Sequence, residues 1–170
     1  MAKILTPPGP SSIESLNTRH DRRNFSCSIE ALDTYLKRYA RQHAAANISR
    51  TYVAVAGATI YGFYTLAMSG IRKENLPAKY SKRFPNLPLP VARLARLAVD
   101  LRYQGRGLGE LRLADALHRC KTISQAIGML GVLVDAKDDR AREWYERYEF
   151  APLPDSPLTF WLPTSAILAI

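Results

Sequence analysis

Apolar residues along this chain follow two spacings, and their alternation outlines the fold. Ile29, Leu32, Leu36, Tyr39 and Ala40 recur at helical spacing behind Ser28, a suitable N-cap, and the opposite face carries Lys37, Arg38 and Arg41. The period then shortens. Thr51–Ala56 and Ile60–Ala67 are rich in β-branched and aromatic residues and flank Gly57, which predicts two strands joined by a turn. Residues 73–90 are basic and hold four prolines, the signature of a surface loop or short helix. Val91–Asp100 reads as a long central strand. Helical spacing returns at Leu108, Leu111, Leu113, Ala114, Leu117 and Cys120 and runs on to Ile123 and Ile127. Gly131–Ala136 is a buried strand, Asp138 or Asp139 caps a helix through Trp144, Tyr145 and Tyr148, and Leu158–Leu162 closes the series. The order predicts an α/β (α+β) layout around one mostly antiparallel mixed sheet flanked by helices. Residues 1–12 are expected to form a flexible arm and 13–170 a single domain.

The segment between the central strand and the long helix carries the candidate chemistry. It reads Arg102-Tyr103-Gln104-Gly105-Arg106-Gly107-Leu108-Gly109. Three glycines at alternate positions, opening a helix straight after a strand, predict φ values that a Cβ would resist and main-chain N–H groups that a ligand can approach. With the positive end of a helix dipole behind them, such groups suit a diphosphate. Spacing narrows the choice. Glu110 follows the last glycine where a Walker loop needs Lys and Ser or Thr. A dinucleotide fingerprint needs its third glycine one position later and an early place in the chain. The remaining pattern is R-x-x-G-x-G, Arg102 to Gly107. Arg102 and Arg106 either pair with phosphate or stay solvated.

Charge adds a second theme. The chain has 24 basic and 15 acidic residues, a net charge of +9, which favours an anionic partner, nucleic acid first. The cations cluster: Lys37, Arg38 and Arg41 on one helix face, Arg93 and Arg96 on the central strand. The last two cannot share a face of a flat strand, because faces alternate. Two cysteines and three scattered histidines offer neither a disulfide framework nor metal-ligand spacing, so no metal is expected. No apolar stretch is long enough for a bilayer and the N-terminus lacks a signal-peptide core, which predicts a cytoplasmic protein without membrane attachment.

The R-x-x-G-x-G loop resembles the coenzyme A diphosphate loop of the GNAT acetyltransferases. Four more short motifs narrow the resemblance: Phe25-Ser26-Cys27 with Leu32-Asp33-x-Tyr35-Leu36, Gly62-Phe63-Tyr64-Thr65-Leu66, Arg96-Leu97-Ala98-Val99-Asp100, and Trp144-Tyr145-Glu146-Arg147. In this order they are similar to the GNAT toxins of bacterial type II toxin–antitoxin systems. Glu149 stands where many of those relatives have Gly. The resemblance implies a GNAT fold whose two parallel neighbours, here Leu94–Asp100 and Gly131–Ala136, splay to form the coenzyme A cleft. It implies acetyl-CoA as co-substrate, held by Leu97, Ala98 and Val99 on the strand and by Gln104, Gly105, Arg106, Gly107, Leu108 and Gly109 in the loop. It implies Tyr145 as the catalytic residue that protonates the departing sulfur. The implied activity is acetylation of the α-amino group of aminoacyl-tRNA, which blocks translation. The implied partners are a ribbon–helix–helix antitoxin with a disordered tail and a second copy of the chain, with Leu158–Ile170 offering apolar surface.

The residues themselves accord with an α-amine acceptor. Val91–Val99 carries no carboxylate to deprotonate a lysine, whose pKa near 10.4 calls for a base, whereas an α-amine near 7.7–8.0 is already partly neutral. Candidate contacts to tRNA are Arg93, Arg96, Lys37, Arg38 and Arg41. Two other readings stay open: an acetyltransferase for a protein N-terminus or small amine, and a coenzyme-binding module without activity.

Overall fold

A computed structural model describes residues 9–170. Its strands form a seven-stranded mixed sheet in the order β1-β2-β3-β4-β5-β7-β6. They are β1 (Ser12–Ser15), β2 (Arg50–Ala56), β3 (Thr59–Ile71), β4 (Leu89–Val99), β5 (Gly131–Asp135), β6 (Ala151–Leu153) and β7 (Ser156–Pro163). The helices are α1 (Glu30–Thr34), α2 (Ala40–Ala45), α3 (Ala78–Ser81), α4 (Leu108–Ala126), α5 (Asp139–Glu146) and α6 (Thr164–Leu168). The expected mixed sheet is present. Strands β4 and β5 are the parallel pair, in register from Ala92 against Val132 to Leu94 against Val134, while β1–β2, β5–β7 and β6–β7 run antiparallel.

Two compact units divide the chain, each built from two stretches of it. The first holds residues 9–65 and 96–113. Its core gathers Phe25, Cys27, Tyr35, Leu36, Val53 and Phe63, with Phe25 and Phe63 edge-to-face at 5.5 Å. Of the arm expected over residues 1–12, residues 1–8 lie outside the described residues. Ser12 belongs to the sheet, pairing with Val55 in β1, and Ser11 just before it donates its N–H to Val55 O at 2.8 Å.

Ser28 is not an N-cap: it sits at φ +71, and α1 begins at Glu30 behind Ile29, which makes no side-chain cap. A carboxylate inside the helix instead ties down the segment before it. Asp33 accepts the Cys27 N–H at 2.9 Å and the Ser26 hydroxyl at 3.3 Å, which folds the chain back tightly enough to push Ser28 left-handed. Beyond α1 the helix widens into a π turn over Tyr35–Tyr39 before α2. The carbonyls of Leu36 and Lys37 there accept Arg22 Nη1 at 3.5 and 2.9 Å.

The second unit holds residues 66–95 and 114–170. Its core packs Ile71, Leu76, Val91, Leu133, Leu153 and Trp161 under Tyr80 of α3. The basic, proline-rich stretch resolves into a 3₁₀ turn at Lys73–Asn75 and the short α3. Asp138, not Asp139, caps α5, accepting the Ala141 N–H at 2.8 Å. The C-terminus is docked: Ile167 is fully buried and Lys121 Nζ reaches Ile170 O at 2.8 Å, although Leu158, Leu168 and Ile170 stay exposed. Among the described residues no helix is long and apolar enough to cross a membrane.

Candidate active site

The exit of β4 is built around one carboxylate. Asp100 ends the strand just past Val99 and is 1% exposed. It accepts the Ser26 N–H at 3.1 Å, the Arg102 N–H at 2.9 Å, and Arg102 Nε and Nη2 at 2.9 and 3.1 Å. Leu101 N–H bonds Ser26 O at 2.8 Å, so two motifs far apart in sequence are stitched together here. Burial works to raise the Asp100 pKa, but the hydrogen bonds from Arg102 and Ser26 outweigh it and hold the carboxyl below the usual carboxylate range. Arg102, expected either on phosphate or in solvent, pairs with Asp100 and keeps half of its side chain exposed.

The chain turns at Leu101–Tyr103 and then opens. Gln104 to Gly107 are all exposed, with Gly105 at φ +78 and Gly107 at φ +76. Added Cβ atoms would meet nothing within 4 Å at Gly105 and only Glu110 Oε2, at 3.8 Å, at Gly107. The space before these glycines is therefore open, and left-handed φ is what glycine accepts without penalty. Gly109 does not share this role, because it lies in the first turn of α4. The first bond of that helix runs from Leu111 N–H to Gly107 O at 3.2 Å, so the amides of Leu108, Gly109 and Glu110 precede it at the positive helix end. A two-glycine cradle feeding a 19-residue helix fits an anion of diphosphate size.

An aromatic wall backs the cradle. Tyr61 of β3 stacks on Tyr103 with ring centroids 3.8 Å apart, and Arg102 and Arg106 lie over Tyr103 at 5.2 and 5.8 Å. Burial, then the neighbouring Tyr103 hydroxyl, pushes the Tyr61 phenol pKa up. Within the strand, Ala98 is buried and Leu97 and Val99 are half-buried. The Gln104 side chain bonds Val99 O at 3.1 Å, so this residue ties the loop to the strand. Gly62 faces the same strand. A Cβ there would fall 2.3 Å from Arg112 Nη1 and 2.7 Å from Ala98 O. Arg112, 1% exposed on α4, thus occupies space that a side chain at Gly62 would take.

The predicted cations separate into two groups. Arg93 of the second unit is paired with Asp135, whose other oxygen accepts the Thr159 hydroxyl at 2.9 Å, beside an open cleft of about 530 Å³. Arg96 of the first unit lies instead over the Tyr35 ring, 3.5 Å from its centroid. Lys37, Arg38 and Arg41 follow Tyr35 along the π turn and α2, half-buried or exposed. Burial, and then repulsion from Arg41, lowers the Arg22 pKa.

Tyr145 stands in the second unit, 6% exposed, on α5. Trp144 and Phe150 meet its ring edge-on at 5.0 and 5.6 Å, and Phe160 stacks at 6.4 Å. Phe160 pairs with Val134 and Val134 with Leu94, so within the second unit Tyr145 lies at the end of a row leading to β4. Three contributors escaped the sequence reading: Tyr61, Tyr103 and Arg112. An arginine at a core position of an amphipathic helix reads as polar surface, and no spacing rule links two tyrosines 42 positions apart.

Residues 26–160 match the acetyltransferase (GNAT) domain family. A protein of Mycobacterium tuberculosis named tRNA-acetylating toxin is 35% identical over 154 residues, covering 91% of this chain and 92% of its own length. A probable toxin TacT of Sinorhizobium fredii is 34% identical, covering 99% and 94%. Among solved structures, AtaT complexed with acetyl-methionyl-tRNAfMet superposes with TM-score 0.84 at 29% identity, covering 92% of this chain and 96% of that one. AtaTR bound with AcCoA gives 0.80 at 30% identity, covering 92% and 95%. A mutant AtaT toxin bound to the C-terminus of the antitoxin AtaR gives 0.78 at 28%, covering 92% and 93%.

Proposed function

Because the chain belongs to the GNAT acetyltransferases, we propose that it transfers acetyl from acetyl-CoA to the α-amino group of an aminoacyl-tRNA and thereby acts as a toxin that stops translation. The observation that carries this reading is the exposed Gly105–Gly107 cradle at the exit of β4, with a helix N-terminus directly behind it. Its fit to a coenzyme A diphosphate rests on the open space before both glycines. The relatives' names supply the acceptor.

Acetyl-CoA brings an activated thioester; the chain supplies the rest. Main-chain N–H groups of Gln104 to Gly109 hold the diphosphate. Those of Leu97 and Val99 hold the pantetheine amides and polarise the acetyl carbonyl. The acceptor amine, partly neutral at physiological pH, forms the new C–N bond as the C–S bond breaks. Tyr145 donates its phenolic proton to the departing sulfur and is restored by the proton that the amine sheds through water. No carboxylate on β4 before Asp100 is needed as a base. Arg96, Lys37, Arg38 and Arg41 contact phosphates of the RNA, which positions it without reading its sequence. Arg93, tied to Asp135, takes a lesser part in this contact.

The basic surface suits an acidic antitoxin tail, disordered until bound and carried by a ribbon–helix–helix protein. A homodimer that uses the exposed Leu158, Leu168 and Ile170, in the cytoplasm, completes the reading. The test is partition of label. Protein, labelled acetyl-CoA, total charged tRNA, a protein mixture and polyamines are incubated together. Label on aminoacyl-tRNA is the expected result. Label confined to protein or polyamine would replace the acceptor, and no transfer at all would leave a binding module.

A further inference from the structure

Several arginines of the first unit bond within the fold. Arg102 is spent on Asp100, Arg22 on the Leu36 and Lys37 carbonyls, and Arg50 on the Ala44 carbonyl and Asn47. Arg96 differs. It is half-buried on β4, and among the described residues its guanidinium has the Tyr35 ring face as its contact and no carboxylate, carbonyl or hydroxyl. Stacking fixes the plane of the group and leaves its five edge donors unused. A half-buried cation whose donors meet no protein acceptor can present them to an anionic ligand.

The platform beneath it is itself immobilised. Tyr35 is 4% exposed, its hydroxyl lies between Ser49 Oγ at 2.9 Å and His43 Nδ1 at 3.2 Å, and the His43 ring packs edge-on at 5.3 Å. Tyr35 also opens the π turn whose loosened carbonyls Arg22 holds. π turns of this kind recur at functional sites. Lys37, Arg38 and Arg41 continue from Tyr35 along the same segment, so positive charge extends from Arg96 in one direction.

We infer that Arg96 receives a phosphodiester at the 3′ end of the acceptor RNA, bidentately, and that Tyr35 is a positioning residue that holds the guanidinium for it. The inference rests on the tRNA reading above. A phosphate is favoured because the planar fork matches its oxygens. Arg96 also immediately precedes Leu97 on β4, whose main chain is proposed to hold the acetyl group, which favours the acceptor's reacting end as the part of the RNA that meets it.

The test uses Arg96→Leu, Arg96→Lys, Tyr35→Leu and Tyr35→Phe in the full chain, with two readouts. The first is kcat and KM for charged tRNA and for acetyl-CoA. The second needs no acetylation: the Kd of an uncharged RNA hairpin ending in CCA, measured against salt. Arg96→Leu and Tyr35→Leu are expected to raise the tRNA KM and the hairpin Kd about tenfold, roughly one charge-assisted contact. The acetyl-CoA KM stays within about twofold. The salt slope of hairpin binding falls by about one in Arg96→Leu, as expected for one lost phosphate contact. Tyr35→Phe, which keeps the ring, stays near wild type, and Arg96→Lys lies between. An unchanged salt slope, an equal loss of acetyl-CoA affinity, or equal damage from Tyr35→Phe and Tyr35→Leu would overturn the inference. So would failure of the wild type to bind the hairpin. If the hairpin results hold and charged tRNA is never acetylated, the functional reading fails and this inference stands.

Discussion

At Asp100 a single buried carboxylate sets the direction in which the chain leaves β4, since Ser26 and Arg102 both converge on it. Its depressed pKa fixes the sign of a pH effect. A carboxyl whose folded pKa lies below the unfolded value near 3.9 contributes stability that is fully present above that value and is lost as pH falls through the folded one. Asp100→Asn should therefore cost about 2 kcal/mol at neutral pH, hydrogen bonds to a charged group being worth about 1.5–3. Thermal unfolding of both proteins from pH 3 to 7 should show a gap that is constant above about pH 5 and narrows below about pH 4. A gap that does not narrow in acid would remove the charge from the explanation. At this scale the sequence was legible where backbone geometry demands a residue type, as at Gly105 and Gly107. It was not legible where one residue's smallness serves another's bulk. Gly62 reads as a strand glycine with no stated purpose until Arg112 is found occupying its side-chain space.

Among the elements, the long strand β4 and helix α4 declared themselves because their apolar spacing runs unbroken over many residues. The short ones did not. Strand β1 has four residues and β6 three, too few to establish alternation, and both are stabilised by pairing with β2 and β7. The start of α1 misled because Asp33, within the helix, ties back Ser26 and Cys27, and Ser28 takes a left-handed φ instead of capping. The turn after α5 shows the converse. Glu149, noted as a departure from the glycine of many similar proteins, sits at φ +68, where a side chain costs about 1 kcal/mol. Glu149→Gly should stabilise the chain by about 0.5–1 kcal/mol, read as a higher urea midpoint at unchanged m. A lower midpoint would mean that the Glu149 side chain contributes more than its backbone strain costs.

For the molecule as a whole, the net charge of +9 is unevenly committed. Arg22, Arg93 and Arg102 bond within the fold, while Arg96, Lys37, Arg38 and Arg41 are the cations proposed to meet the RNA. Affinity for charged tRNA should then fall steeply with salt, by about one log unit or more between 50 and 200 mM if several phosphates are engaged. A flat profile would point to a small acceptor. Fold class and the glycine cradle were visible in the sequence because each is a local pattern; the sorting of cations was not, because it depends on which carboxylates and carbonyls the fold brings alongside. The most direct measurement is the mass of the 3′-terminal aminoacyl-adenosine released by ribonuclease after charged tRNA has been incubated with acetyl-CoA and the protein. The expected product carries one acetyl group on its α-amine with the wild type. It should form about 10²–10⁴-fold more slowly with Tyr145→Phe, whose acetyl-CoA affinity is retained. An aminoacyl-adenosine of unchanged mass in the wild-type reaction would contradict the account.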